Sequence, residues 1–228
     1  MGARASRYVN TGILPVSHLP TGTASRVFYG GGLTYKREKK MEPDSLFTRE
    51  LPTLQTPQLL LRDAELTDAE AIYAYSSNPV FYQCLGRKVP PSLEHVASNI
   101  QRQLEKNSRM PRNWMIILND ENRLVGDCGF NDYRPDNSRA EINYAVDPAF
   151  WNRGIATEAA LCVLAFAFEQ LQFSRIQAIC STANQRSEAV LKKLGMQFEG
   201  LLRRYIQFEN ETLDMKMFAI LSTEWKAE

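Results

Sequence analysis

The stretch Trp151-Asn152-Arg153-Gly154-Ile155-Ala156-Thr157-Glu158-Ala159 places a basic residue and a glycine where a strand gives way to a helix. A helix start exposes backbone N–H groups that have no intrahelical partner, and its dipole favours an anion there. Glycine lets a phosphate approach the backbone without a Cβ in the way. The chemistry that suits this pattern is the wrapping of a phosphate or pyrophosphate by the turn. An ordinary strand-to-helix connection with a glycine near its start has the same local pattern, so the surrounding elements have to decide.

A second pattern follows about thirty residues later, Asn184-x-x-Ser187-x-x-Val190-Leu191-x-x-Leu194-Gly195-Met196. The elements that must position both motifs read as alternating strands and helices. A strand at Leu59 to Arg62 precedes a helix over about Thr67 to Ser77, and a second helix covers Leu93 to Lys106. Strands at Trp114 to Leu118, Leu124 to Asp132 and Glu141 to Val146 are separated by turn-rich clusters and form an antiparallel meander. Thr157 to Leu171 is apolar nearly all round and predicts a buried helix. A strand at Ile176 to Ser181, a helix at Ser187 to Leu194 and a terminal hairpin of Phe198 to Phe208 with Thr212 to Ile220 complete the chain. Glu209-Asn210-Glu211 is the expected hairpin turn.

A chain of 228 residues with 44% hydrophobic content can bury a full core and suits one domain preceded by a tail. No apolar run approaches the roughly 18 residues needed to cross a bilayer. Cys84, Cys128, Cys162 and Cys180 never form C-x-x-C and read as buried free thiols. Neither His18 nor His95 joins a cluster of acids or cysteines, so no metal is expected. The net charge of +1 hides an asymmetry: residues 1–40 carry seven basic side chains against Glu38 alone, leaving the remainder at −5. An acidic domain has no general attraction to nucleic acid and favours a cationic partner such as an amine.

Residues 1–40 show no strand or helix period and contain Pro15, Pro20 and Gly30-Gly31-Gly32. They read as a disordered basic tail, with a transit peptide or translation from a misplaced start upstream of Met41 as the other readings. The glycine run lacks the Lys-Ser/Thr of a phosphate loop.

Taken together, residues 151–195 resemble the GNAT acetyltransferases, and more closely their ribosomal-protein N-terminal acetyltransferase branch. The shared pattern is Trp-x-(Lys/Arg)-Gly-x-Ala-Thr-Glu-Ala followed by Asn-x-x-Ser-x-x-x-Leu-x-Lys-x-Gly. The strands Ala140-Glu141-Ile142-x-Tyr144 and Glu199-Gly200-x-Leu202-Arg203 also fit, and the likeness extends from about Leu54 to Trp225. The resemblance implies an α+β (α/β) GNAT fold for residues 41–228. This is a central mixed, mostly antiparallel sheet of about seven strands, flanked by four helices, with a splayed coenzyme cleft. It implies acetyl-coenzyme A in that cleft, where strands ending near Val146 and Thr182 part, with its pyrophosphate on residues 153–157. Trp151 stands where the wider superfamily has Gln or Arg, which narrows the likeness to the branch.

Attack of a neutral amine on a thioester needs an oxyanion donor, a base and an acid. The resemblance assigns the oxyanion to the backbone N–H of about Val146. Glu141 is the best-placed carboxylate for a base, with pairing to Arg139 as the alternative. An α-amine with a pKa near 8 is about a tenth neutral at pH 7, so a base-free route also stands. The branch's other glutamate position falls on Ile206. The superfamily's tyrosine acid falls on Leu191, which cannot donate, and the branch uses the serine of Asn-x-x-Ser, here Ser187. Ser187 as a plain helix cap is the competing reading. Asn184 is expected to hold the pantetheine amide.

Trp114 and Phe130 read as core, and Tyr82, Tyr133 and Tyr205 as packing rather than acceptor contacts. Of Arg203 and Arg204, strand alternation lets at most one face the site. The expected activity is acetyl transfer from acetyl-coenzyme A to a primary amine, foremost a protein N-terminal amine such as that of a ribosomal protein. A polyamine, another small amine or an aminoglycoside is the alternative acceptor, and a non-catalytic acyl-coenzyme A binding module the alternative class. The resemblance allows a monomer or a homodimer. A cytoplasmic setting is expected, or an organelle if the tail is a transit peptide.

Overall fold

The structure, a computed structural model, describes residues 27–28, 51–82, 89–90, 92–105, 113–208 and 211–226. Apart from Val27–Phe28, the expected tail of residues 1–40 lies outside them, as do Met41, Cys84, the side chain of Tyr82 and the turn residues Glu209 and Asn210.

The strands are β1 (Val27–Phe28), β2 (Leu54–Gln55), β3 (Leu59–Arg62), β4 (Asn113–Leu118), β5 (Arg123–Phe130), β6 (Arg139–Val146), β7 (Arg175–Ser181), β8 (Gln197–Phe208) and β9 (Glu211–Leu221). They form one sheet in the order β1-β2-β3-β4-β5-β6-β7-β9-β8. Two of the nine, β1 and β2, are only two residues long, which leaves the seven expected full strands. The meander β4-β5-β6 and the hairpin β8-β9 are antiparallel, whereas β6 and β7 run parallel.

The helices are α1 (Ala69–Ser76), α2 (Pro79–Tyr82), α3 (Leu93–Leu104), α4 (Ile155–Ala165) and α5 (Gln185–Lys193). The single turn α2 had no periodic signal, and the other four are those anticipated. The segment expected to run as one helix to Leu171 loosens into a π-helical turn over Phe166–Gln170. The helix expected to begin at Ser187 begins instead at Gln185, with Asn184 as its N-cap.

Alternation along β4 builds two cores, one on each face of the sheet. Trp114, Ile116 and Leu118 join the larger core under α4 and α5 with Val125, Ala159, Val163, Leu164 and Leu191. Met115 and Ile117 face the other way, against Val96, Ile100 and Ala69 of α3 and α1. Burial on both faces explains why β4 reads as a continuous apolar run after Asn113. Trp114 and Phe130 are in the larger core, and the Trp114 indole donates to the Pro52 carbonyl at 2.7 Å. Gly126 permits the close approach of β5 to β6: a Cβ there would lie 2.1 Å from the Ala145 carbonyl oxygen.

β6 and β7 pair only at their beginnings, Arg139 with Arg175 through Glu141 with Gln177. Beyond that point β6 stays on β5 through Val146, and β7 stays on β9 through Ser181. The sheet therefore splays between Ile142–Val146 and Ala178–Ser181, and this wedge holds the candidate site. No helix among the described residues is long and apolar enough to cross a membrane.

Candidate active site

The wedge opens into a cavity of about 580 Å³ lined by residues of β6, β7 and α5 and, toward the other face of the sheet, by α1, α3, β4 and β5. Its backbone edge follows from the β5-β6 ladder. Asn131 N–H donates to the Glu141 carbonyl and Asp147 N–H to the Val125 carbonyl, so the odd-numbered residues of β6 bond to β5. Antiparallel alternation turns the N–H and C=O groups of Tyr144 and Val146 toward the wedge, beyond the last β6–β7 pair of Glu141 with Gln177. The Val146 carbonyl is taken by the Trp151 indole N–H at 2.7 Å. By the same alternation the Val146 N–H points into the wedge, the direction an oxyanion donor there would need. Trp151 thus ties the end of β6 to the turn that follows, and the Arg186 guanidinium covers its ring at 4.5 Å.

That turn carries the anion motif. Asn152 and Gly154 both have positive φ, 64° and 81°, and Gly154 is the N-cap of α4. The first helical hydrogen bond runs from Glu158 N–H to the Gly154 carbonyl. The N–H groups of Ile155, Ala156 and Thr157 therefore belong to the first turn, which has no intrahelical acceptor for them. Gly154 has no side-chain cap to compete. Arg153 is exposed and its guanidinium lies 4.9 Å from the Phe150 ring centre, with Arg123 at 4.7 Å from the same ring. The carboxylate of Glu158, which would repel an anion in this turn, instead accepts from Thr56 Oγ1 at 2.5 Å and from Gln58 N–H at 3.2 Å. A cationic rim and free N–H groups fit a pyrophosphate.

Across the wedge, the Asn184 side-chain oxygen caps α5 by accepting from the Ser187 N–H at 3.1 Å. The cap role considered for Ser187 therefore belongs to Asn184, and the Ser187 hydroxyl does other work. Its Oγ lies 2.9 Å from the Tyr144 hydroxyl, which is also 3.1 Å from the Ser187 carbonyl. Burial, the largest influence, pushes the Tyr144 phenol well above the ordinary tyrosine range against the opposing bond to Ser187. Leu191 is buried in the core beneath the cavity wall, and Ile206 lines the cavity from β8.

Glu141 is 9% exposed and lines the cavity at the point where β6 and β7 separate. Burial raises its carboxyl above the ordinary range, with hydrogen bonds from Gln177 and Asn131 partly offsetting this. The Gln177 bond is 3.3 Å. Arg139 pairs with Asp132 at 3.0 Å, so the alternative partner proposed for Glu141 is occupied elsewhere.

The sequence reading missed a polar row on this face of the sheet. Asn113 donates to Asp127 at 2.7 Å and to Asn143 at 2.9 Å, and Asn143 donates back to Asn113 at 3.2 Å and on to Asn131 at 3.0 Å. Asn131 in turn bonds Glu141, so a ladder of amides joins the two carboxylates. Asn113 and Asn143 sit on either side of Gly129 in the register, and the missing side chain lets them meet. The legible signal was a polar residue at each of Asn113, Asp127 and Asn143 inside otherwise apolar strands.

The remaining candidates lie apart. Tyr133 packs on the core beside Phe173, at 5.2 Å between ring centres. Tyr205 is exposed. Arg203, Arg204 and Tyr205 fall in an irregularity of β8 between Leu202 and Ile206, and Arg204 has φ 52°. Simple strand alternation therefore does not govern Arg203 and Arg204. The three described cysteines are buried; burial lifts Cys162 to about 12 and Cys180 to about 11, so both remain thiols at neutral pH. Among the described residues no group of three or more His, Cys, Asp or Glu side chains comes together as a metal site.

Residues 58–197 match the acetyltransferase (GNAT) domain family. The chain is 36% identical over 172 residues to the uncharacterized N-acetyltransferase YoaA of Bacillus subtilis, covering 75% of this chain and 97% of that protein. A GNAT-family acetyltransferase structure from Bacillus anthracis superposes with a TM-score of 0.68 at 30% identity, covering 75% of this chain and 99% of the other. A structure of RimL, a ribosomal L7/L12 alpha-N-protein acetyltransferase in complex with coenzyme A, shares the fold with a TM-score of 0.63 at 22% identity, covering 72% and 94%.

Proposed function

This chain belongs to the GNAT family of acetyl-coenzyme A-dependent N-acetyltransferases, and from that premise we propose that its acceptor is the α-amine of a protein N-terminus. The observation that carries the reading is the amide ladder Asn113, Asn143, Asn131 on the acceptor face of the cavity. Amide oxygens with a second lone pair match peptide N–H groups, as a chain terminus entering the cavity would present. The described cavity wall has two carboxylates, Asp127 and Glu141, and both are already bonded to side-chain amides. The fold shared with a ribosomal L7/L12 alpha-N-protein acetyltransferase is consistent with this choice.

In this reading acetyl-coenzyme A lies along the open edge of β6, its pyrophosphate on residues 153–157 and its pantetheine amide near Asn184. The amine nitrogen attacks the thioester carbon, forming the C–N bond and an oxyanion that meets the Val146 N–H. Glu141 takes the proton the nitrogen loses, a task that its raised pKa suits. The C–S bond breaks, the departing sulfur receives a hydrogen bond from Ser187, and proton return yields an amide and a free thiol.

The −5 balance of residues 41–228 and the two carboxylates of the cavity favour a second reading, a small polyamine acceptor. Acetyl-coenzyme A-dependent thiol release with N-terminal peptides and small amines, followed by mass analysis of the peptide products, tests the choice. Acetylation confined to the peptides' α-amines supports the first reading, and turnover confined to polyamines overturns it.

A further inference from the structure

Tyr144 stands on β6 and Ser187 on α5, so their hydroxyl contact spans the wedge that the coenzyme is to enter. We propose that Tyr144 is a positioning residue whose phenol decides where the Ser187 hydroxyl proton points. This rests on the reading of Ser187 as the donor to the departing sulfur.

A phenol has one hydrogen and here two acceptors within reach, the Ser187 carbonyl at 3.1 Å and Ser187 Oγ at 2.9 Å. When the phenol donates to the carbonyl, Ser187 can donate to the phenol oxygen, and its proton is turned away from the cavity. When the phenol donates to Oγ, the serine proton is released for another acceptor. A thiolate forming beside Ser187 selects the second arrangement. Both arrangements use the same heavy-atom positions and differ by rotation about two C–O bonds.

The surroundings suit a fixed donor. Among the described residues the groups that act on the phenol are Cys128 from β5, Cys180 from β7 and Ser187 from α5; both thiols are neutral, and no cation is among these groups. Tyr144 therefore keeps its proton through the reaction and works by donating a hydrogen bond, not by giving up charge. The backbone of Ser187 is held independently, by the Asn184 cap and the helix, so loss of the phenol leaves Ser187 in place with its hydroxyl unsteered. Phenylalanine keeps the ring and removes only this hydroxyl.

Coenzyme A carrying carbon-13 beside its sulfur supplies a test that needs no acceptor. Bound to the full chain, its thiol should ionise about half a pH unit or more below the free coenzyme, followed by the carbon shift. Tyr144→Phe should return most of that difference while coenzyme affinity, measured by calorimetry, stays within about twofold. Ser187→Ala should return all of it, and the double variant should match Ser187→Ala alone. A wild-type titration in Tyr144→Phe, or additive effects in the double variant, overturns the positioning role and leaves Ser187 standing. A wild-type titration in Ser187→Ala overturns both.

Discussion

Asp132 holds the Arg139 guanidinium at 3.0 Å, and on Glu141, two residues further along the same strand, that cation is the smallest of the influences, after burial and the bonds from Gln177 and Asn131. The nearest donors to Glu141 are amides, which orient a carboxylate without cancelling its charge. A buried carboxylate left in this state is costly to ionise and eager for a proton.

Glu141→Gln should lower kcat by about 100-fold or more near pH 6, with the deficit shrinking as pH rises and the acceptor amine loses its proton unaided. A pH–rate profile parallel to wild type contradicts the base assignment.

The same substitution has a stability signature of definite sign. Glu141 binds its proton more tightly folded than unfolded, so the wild type loses stability as pH rises from the ordinary carboxylate range through the raised folded value. Glutamine has no such loss. Its Tm should exceed that of wild type at pH 7 and converge with it below about pH 4. A lower Tm at pH 7 counts against the raised carboxyl.

Gly154 has room for a Cβ but a φ of 81°. Gly154→Ala should therefore act through backbone strain of about 1–2 kcal/mol and raise KM for acetyl-coenzyme A several-fold, with kcat little changed. An unchanged KM places the pyrophosphate elsewhere.

Trp151→Phe removes the donor to the Val146 carbonyl and leaves that group facing the wedge. The expected loss is about 1–2 kcal/mol of stability, measured by urea denaturation, together with weaker coenzyme binding by calorimetry. Wild-type values for both dispose of the strut.

Gly126→Ala drives a Cβ onto the Ala145 carbonyl and must part β5 from β6. A loss of more than about 3 kcal/mol, or failure to accumulate as folded protein, is expected in thermal unfolding. A Tm close to wild type contradicts the described strand approach.

Most of the fold was legible because two faces of a sheet and one all-apolar helix impose periods that short windows reveal. Trp114 and Met115 alternate between two cores, and Ala159 through Phe168 is buried nearly throughout. The starts of elements were less legible, since Asn184 and Ser187 are both good caps and geometry alone selects Asn184. The two-residue strands and α2 carry too few residues to show a period. At the site, backbone motifs were readable because glycine and a helix start have local causes. The Tyr144 contact with Ser187 and the Asn113 contact with Asn143 join residues 43 and 30 positions apart, and no local pattern encodes such meetings. The bulge at Arg203 to Tyr205 broke an alternation that a regular strand would have kept.

The acceptor is tested most directly by the initial rate of acetylation for a peptide with a free α-amine, the same peptide with that amine blocked, and a polyamine. Turnover is expected on the free α-amine, none on the blocked peptide, and a kcat/KM for the polyamine at least about tenfold lower. Equal rates on free and blocked peptides, or a polyamine as the better substrate, contradict an N-terminal α-amine as the acceptor.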